Sequence, residues 1–198
     1  MSYNRVLILV DWNNVASRRI EDRSFFNNKV RLRDALLETQ ELMAKTLNVL
    51  DGRTRYKADI RLYDGWHDGK RRTLRHNLVE QIVAERGFVR AIGRSAFPSS
   101  PEIANRILFY AECPEIVNSY RGSSQKMVDT HMVADLFVAA INKLYDIYII
   151  FSDDDDFIPA VLGAGFTGVN ALLIRHATSD ALSAIKLPEP ARHLFVGE

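Results

Sequence analysis

The sequence predicts an α/β fold, a three-layer sandwich with a mainly parallel central sheet. Two observations predict it. Residues 5–10 (RVLILV) and 147–151 (IYIIF) are continuous apolar runs without alternation. Such runs suit strands buried on both faces, as in a parallel sheet covered by helices. Segments of helical period stand between the strand-like ones almost throughout, and that pattern requires crossover connections. Right-handed crossovers place helices on both sheet faces.

Taken in order, the first strand at 5–10 is stopped by Asp11. Residues 31–51 carry Leu32, Leu36, Leu37, Met43, Leu47 and Leu50 at near-helical spacing and meet Gly52, a helix with its stop signal. Residues 58–63 (ADIRLY) alternate before Asp64-Gly65 and read as a strand. Residues 70–86 read as a basic helix closed by Gly87, and 88–92 as a short strand. The segment 95–125 holds Pro98, Pro101, Pro114, Gly122 and Ser-rich patches, and is expected to be an insertion or flap; its apolar stretch 107–111 suits another strand. Residues 128–144 are an amphipathic helix, 147–151 a second buried strand, 157–164 a short helix, 169–174 a strand and 179–185 a last helix.

A length of 198 residues suits one domain over 1–198. Hydrophobic residues at 47% supply a core and exclude global disorder. Lys plus Arg number 26 against 25 Asp plus Glu, so only the distribution of charge bears on nucleic-acid binding. A single cysteine, Cys113, excludes an internal disulfide and a Cys-His zinc site, and suits a reducing cytoplasm, where the protein is expected. The apolar run near the N-terminus is too short for a signal-peptide core or a membrane span, so no membrane association is expected.

In parallel sheets, ligands bind outside the carboxyl ends of the strands. Asp11 stands at such an end. The 147–151 strand is followed by Ser152 and four consecutive aspartates, Asp153, Asp154, Asp155 and Asp156. Like charges so close raise one another's cost of ionisation, and a hard divalent cation removes it. Helix capping accounts for one or two of them. It does not account for four after one buried strand and another ending the first. Asp129 lies three residues before Met132 on an apolar stripe of Met132, Val133, Leu136, Phe137, Ala140 and Leu144, so it caps the helix or meets a partner. Asp135 flanks that stripe. It serves the same site only if Asp129 stands at the cap or water bridges the gap; otherwise it is a surface residue.

Together these elements resemble the NYN domain family, a PIN-like nuclease group, from Val6 to about Ile174. Asp11-Trp12-Asn13-Asn14 resembles the family's Asp-Gly-x-Asn, with Trp12 in place of a small residue. Lys126-Met127-Val128-Asp129, with Asp135 beyond, resembles Lys-Gly-Val-Asp and its helix, with Met127 in place of Gly. Ser152, Asp154, Asp156, Phe157 and Pro159 match Ser-Gly-Asp-Ser-Asp-Phe-x-Pro, with Asp153 and Asp155 in place of Gly and Ser. The resemblance implies a Rossmann-like, PIN-like fold and hydrolysis of RNA phosphodiesters with Mg²⁺ or Mn²⁺. It implies that Asp11, Asp129, Asp154 and Asp156 act as metal ligands, with Asp135 as a further ligand or holder and Asn14 steadying Asp11 or a metal water. One ion, or a pair roughly 3.5–4 Å apart, would serve.

Basic residues interleaved with aromatics suit single-stranded RNA, with DNA also possible. Lys70, Arg71, Arg72 and Arg75 lie beside Tyr63, Trp66 and His67; Arg18 and Arg19 follow Asp11; Lys126 precedes the Asp129 helix. Any one such cluster also suits a solvated face, and a tryptophan such as Trp12 or Trp66 more often packs in a core. The alternatives are a non-catalytic RNA-binding module and a Mg²⁺-dependent phosphohydrolase of small esters. An Asp-x-Asp after the first strand and a Gly-rich phosphate loop are both absent, which disfavours the latter. Oligomeric state is not legible.

Overall fold

The structure, a computed structural model, describes residues 3–17, 27–51, 55–68, 70–85, 108–111, 115–117, 127–176 and 192–196. The strands are β1 (Asn4–Asp11), β2 (Arg55–Tyr63), β3 (His67–Asp68), β4 (Arg71–Arg72), β5 (Leu108–Ala111), β6 (Glu115–Val117), β7 (Ile147–Phe151), β8 (Asn170–His176) and β9 (Arg192–Val196). The helices are α1 (Trp12–Ser17), α2 (Lys29–Asp51), α3 (Leu74–Val83), α4 (Val128–Ile141) and α5 (Ile158–Phe166), with a 3-10 turn at Asp155–Phe157.

The predicted α/β sandwich is found. The sheet runs β5-β2-β1-β7-β8-β9, with β6 also pairing β2. Every pairing in it is parallel. Successive residues of its central strands point to opposite faces. Val6, Ile8, Val10, Ile149 and Phe151 pack with Leu32, Leu36, Met43 and Leu47 of α2 and Val79 and Ile82 of α3. Leu7, Leu9, Tyr148 and Ile150 pack on the other face with Met132, Leu136 and Ala139 of α4 and Val161 and Ala164 of α5. Each such side chain taken from water stabilises by roughly 1.5–3 kcal/mol, so double-sided burial is what holds the apolar runs at the centre. Between α4 and α5, a Cβ on Gly163 would stand 2.7 Å from Cζ of Phe137, so only glycine allows this approach without a shift.

From β1 the chain builds outward through β2 to β5, then returns to place β7 on the other side of β1. The reversal between β1 and β7 is a topological switch point, where the crossovers on either side diverge and leave a crevice. Register sets Asp11 opposite Tyr63 and Val10 opposite Phe151, so three strands end level there.

Several elements differ from expectation. The basic helix starts at Leu74 instead of residue 70, because Thr73 caps it, and before it His67–Asp68 and Arg71–Arg72 pair antiparallel as β3 and β4. Within the 95–125 segment, Leu108–Ala111 is the strand its apolar stretch suited, and Glu115–Val117 is a second, unexpected one; both join the sheet beside β2. Helix α4 stops at Ile141, with Asn142 as its cap and Lys143 in the left-handed region (φ 49). The short α1 and the edge strand β9 carry no strong periodic signal. The expected strand at 88–92 and helix at 179–185 lie outside the described residues. Among the described residues, no helix is long and apolar enough to cross a membrane.

Thr73 ties the hairpin to α3. Its hydroxyl accepts from the His76 amide at 3.1 Å and donates to the Trp66 carbonyl at 3.1 Å. Thr73→Ala is expected to destabilise the protein by about 1–2 kcal/mol in urea unfolding, while Thr73→Ser retains most of the stability.

Candidate active site at the strand ends

Asp11 ends β1 and also caps α1. Its Oδ1 accepts from the Asn14 amide at 3.2 Å, and its Oδ2 accepts from the Ser152 hydroxyl at 2.8 Å. Ser152 follows β7 directly and is fully buried. Its Oγ accepts in turn from the Asp154 amide at 3.2 Å, and its own amide donates to the Ile174 carbonyl at 3.2 Å. The Asn14 side-chain oxygen accepts from the Asp153 amide at 3.4 Å. Asn14 thus holds Asp11 with its backbone and the acidic loop with its side chain. Burial is the main cause that raises the Asp11 carboxyl to about 6. The Ser152 and Asn14 hydrogen bonds oppose the rise, and the Asp129 and Asp154 carboxylates add to it.

Asp154 caps the 3-10 turn, its Oδ1 accepting from the Asp156 amide at 2.9 Å. Asp129 lies in the first turn of α4 and caps nothing. Partial desolvation first, and then the Asp154 and Asp156 carboxylates, hold its carboxyl above the usual range. The cap position of α4 is Met127, in the left-handed region with φ 72, which favours glycine. Among the described residues, no lysine or arginine pairs with Asp11, Asp129, Asp154 or Asp156. Also among the described residues, no three His, Cys, Asp or Glu side chains converge as a ready metal cage. Hard carboxylate oxygens that repel one another nonetheless fit Mg²⁺ or Mn²⁺, and Mg²⁺ keeps most of its waters and takes only one or two protein carboxylates.

Two arginine–aspartate pairs flank this centre, and neither was read from the sequence. Asp64, directly after β2, is buried; its Oδ1 accepts from the Gly65 amide at 2.6 Å and pairs with Arg75 at 2.7 Å, while Oδ2 has no partner among the described residues. Desolvation raises Asp64 to about 6 against the pull of Arg75, and Asp11 is near enough to add to the rise. On the other flank, Arg175 of β8 pairs with Asp155. Both buried members directly follow a predicted strand. The placement that singled out Asp11 was a signal for them too.

The structure directs Asp135 elsewhere. Its Oδ2 accepts from the Tyr63 hydroxyl at 2.5 Å and from Arg61 at 3.5 Å, and its Oδ1 lies 3.7 Å from His131. Six residues of helix turn it from the direction of Asp129 toward β2. Among the basic residues, Lys70 and Arg71 are exposed, Arg72 pairs with Glu80 at 2.7 Å, and Arg75 is held by Asp64. Arg18, Arg19 and Lys126 lie outside the described residues. Trp12 and Trp66 are fully buried in one core cluster, which favours packing over base stacking.

A mainly parallel sheet between helical layers, with Asp11 at its switch point, is the architecture of a PIN-like domain. A model of the NYN domain matches residues 5–186, and the chain belongs to that family. NYN nucleases act on nucleic acids, and PIN-like nucleases typically depend on divalent metal. No curated protein and no solved structure matches the chain.

A carboxyl whose folded-state pKa exceeds its unfolded value opposes folding once it ionises. Its stabilising share is complete below the unfolded pKa near 4 and is lost as pH rises through the folded value. For Asp11 that value is about 6. In metal-free protein, Asp11→Asn is expected to gain on wild type by of order 2 kcal/mol between pH 4 and pH 7, read from denaturation midpoints across pH. Met127→Gly removes an exposed side chain from a left-handed position and is expected to stabilise by roughly 0.5–1 kcal/mol, read as a higher melting temperature.

Proposed function

We propose that the protein is a metal-dependent ribonuclease that hydrolyses phosphodiester bonds of single-stranded RNA in the cytoplasm. The observation that carries this reading is Asp11. It is buried at the switch point, tied through Ser152 to the acidic loop, and feels the Asp129 and Asp154 carboxylates, while among the described residues no lysine or arginine pairs with it. Asp11, Asp129, Asp154 and Asp156 are the residues that would hold Mg²⁺ or Mn²⁺. When bound, the ion supplies an activated water nucleophile at neutral pH and offsets charge on the leaving oxygen. Ser152 and Asn14 keep the Asp11 carboxylate oriented through one hydrogen bond to each oxygen. Lys70 and Arg71, exposed on the hairpin beyond β2, are the described cations best placed to meet phosphates, whereas Arg75 is committed to Asp64.

The second reading is an RNA-binding module without hydrolysis. The observation on its side is that no three acidic groups converge among the described residues.

End-labelled single-stranded RNA and matched DNA, incubated with Mg²⁺, Mn²⁺ or chelator, decide between them. Metal-dependent cleavage of RNA is expected, absent for Asp154→Asn and reduced roughly 10- to 100-fold for Ser152→Ala. Intact RNA that is still bound would favour the second reading. Intact RNA without binding would overturn both, and equal cleavage of DNA would remove the preference for RNA.

A further inference from the structure

Four consecutive aspartates after one strand pose a sorting problem, because a flexible run of like charges has no reason to present two of them to a centre and withhold another. In this chain the run is sorted. The Asp153 amide is tied to the Asn14 side chain and the Asp154 amide to Ser152, which itself holds Asp11, while the Asp156 amide is tied to Asp154. Asp155, between Asp154 and Asp156, pairs instead with Arg175. Arg175 stands on β8, on the far side of β7 from β1. Its side chain is 8% exposed and that of Asp155 is 69% exposed. The cation is therefore anchored in the sheet and the carboxylate comes to it.

We propose that Arg175 and Asp155 are a positioning pair that draws the middle of the 153–156 segment toward β8 and so keeps Asp154 and Asp156 on the side of Asp11 and Asp129. The resembling motif has Ser where Asp155 stands, so the pair belongs to this chain's own departure from the family pattern. The value of the sorting for cation binding rests on the metal-dependent reading above, but the sorting itself does not. Because the backbone amides of 153, 154 and 156 each donate to a neighbouring side chain, loosening the pair should free all three together.

The test compares wild type, Asp155→Asn, Arg175→Met and the double variant, with Arg175→Lys in place of the Met variant should that one fail to fold. Amide hydrogen exchange of residues 153–156 is measured in chelator-treated protein, and Mn²⁺ affinity by calorimetry. Asp155 is exposed, so Asp155→Asn should keep the wild-type melting temperature. Each single variant should exchange roughly threefold to tenfold faster over these amides, in keeping with a partly exposed charged hydrogen bond. The double variant should be no faster than either single, since both changes break one interaction. Mn²⁺ binding should weaken by up to about tenfold. Unchanged exchange in metal-free Asp155→Asn would overturn the proposal, even with weaker Mn²⁺ binding, because Asp155 would then act as a ligand. Additive effects in the double variant would overturn it as well. A wild-type protein that binds no Mn²⁺ would refute the metal-dependent reading, while the exchange data would still decide the pair.

Discussion

The hydrogen bond from Ser152 to Asp11 joins the ends of two strands that are 141 residues apart in sequence and adjacent in space. It forms only if β1 and β7 are neighbours in register, and that pairing follows from apolar runs that must be covered on both faces. Crossovers of one hand then place β2 and β8 outside them and leave the crevice between. The bond sits where the sheet reverses its direction of growth, so the order of the strands is what brings the Asp11 carboxylate to the loop after β7. Asn14 adds a second tie between the same two segments.

Around this tie, charge is divided into two kinds. Asp64 and Asp155, at the flanks, are each matched with an arginine. Asp11, Asp129, Asp154 and Asp156, at the centre, have no such match among the described residues. A carboxylate neutralised within the chain loses most of its attraction for an outside cation, whereas an unmatched group keeps it. Pairs of this sort are weak sources of stability and strong sources of specific geometry when one partner is buried. The flanking arginines thus limit the acidic field to the strands on either side of the switch point. Neutralising them with substrate phosphates would require breaking a bond already made.

The fold was legible because its central signal is local: a run buried on both faces looks the same whichever strand it pairs with. The acidic residues at the ends of those runs were legible for the same reason. Asp64 follows a strand just as Asp11 does, but it stands alone, with no acidic run beside it to mark it out. The basic segment 70–86 carries helical period beyond the true helix, and the sequence alone does not weigh Thr73 as a cap against that period. Arg75 and Arg175 show a more general barrier. Composition marks an arginine as a cation for an outside polyanion, and only the fold reveals that a carboxylate of the same chain has taken it. For Asp135, helical geometry pointed away from Asp129, and the structure supplies the partners, Tyr63 and Arg61, that no local pattern names.

Each acidic loop is also followed at once by a buried aromatic residue. Trp12, directly after Asp11, sits in the cluster under α2 and α3, and Phe157, directly after Asp156, sits in the cluster under α4 and α5. The two anchors enter opposite faces of the sheet, and withdrawing either costs roughly 3–5 kcal/mol by analogy with truncation of buried aromatics. Displacing the chain at either point therefore also withdraws an aromatic ring from one layer of the sandwich. Trp12 and Phe157 thus couple the two chain segments that carry Asp11 and Asp156 to the two layers of the core, one segment to each layer.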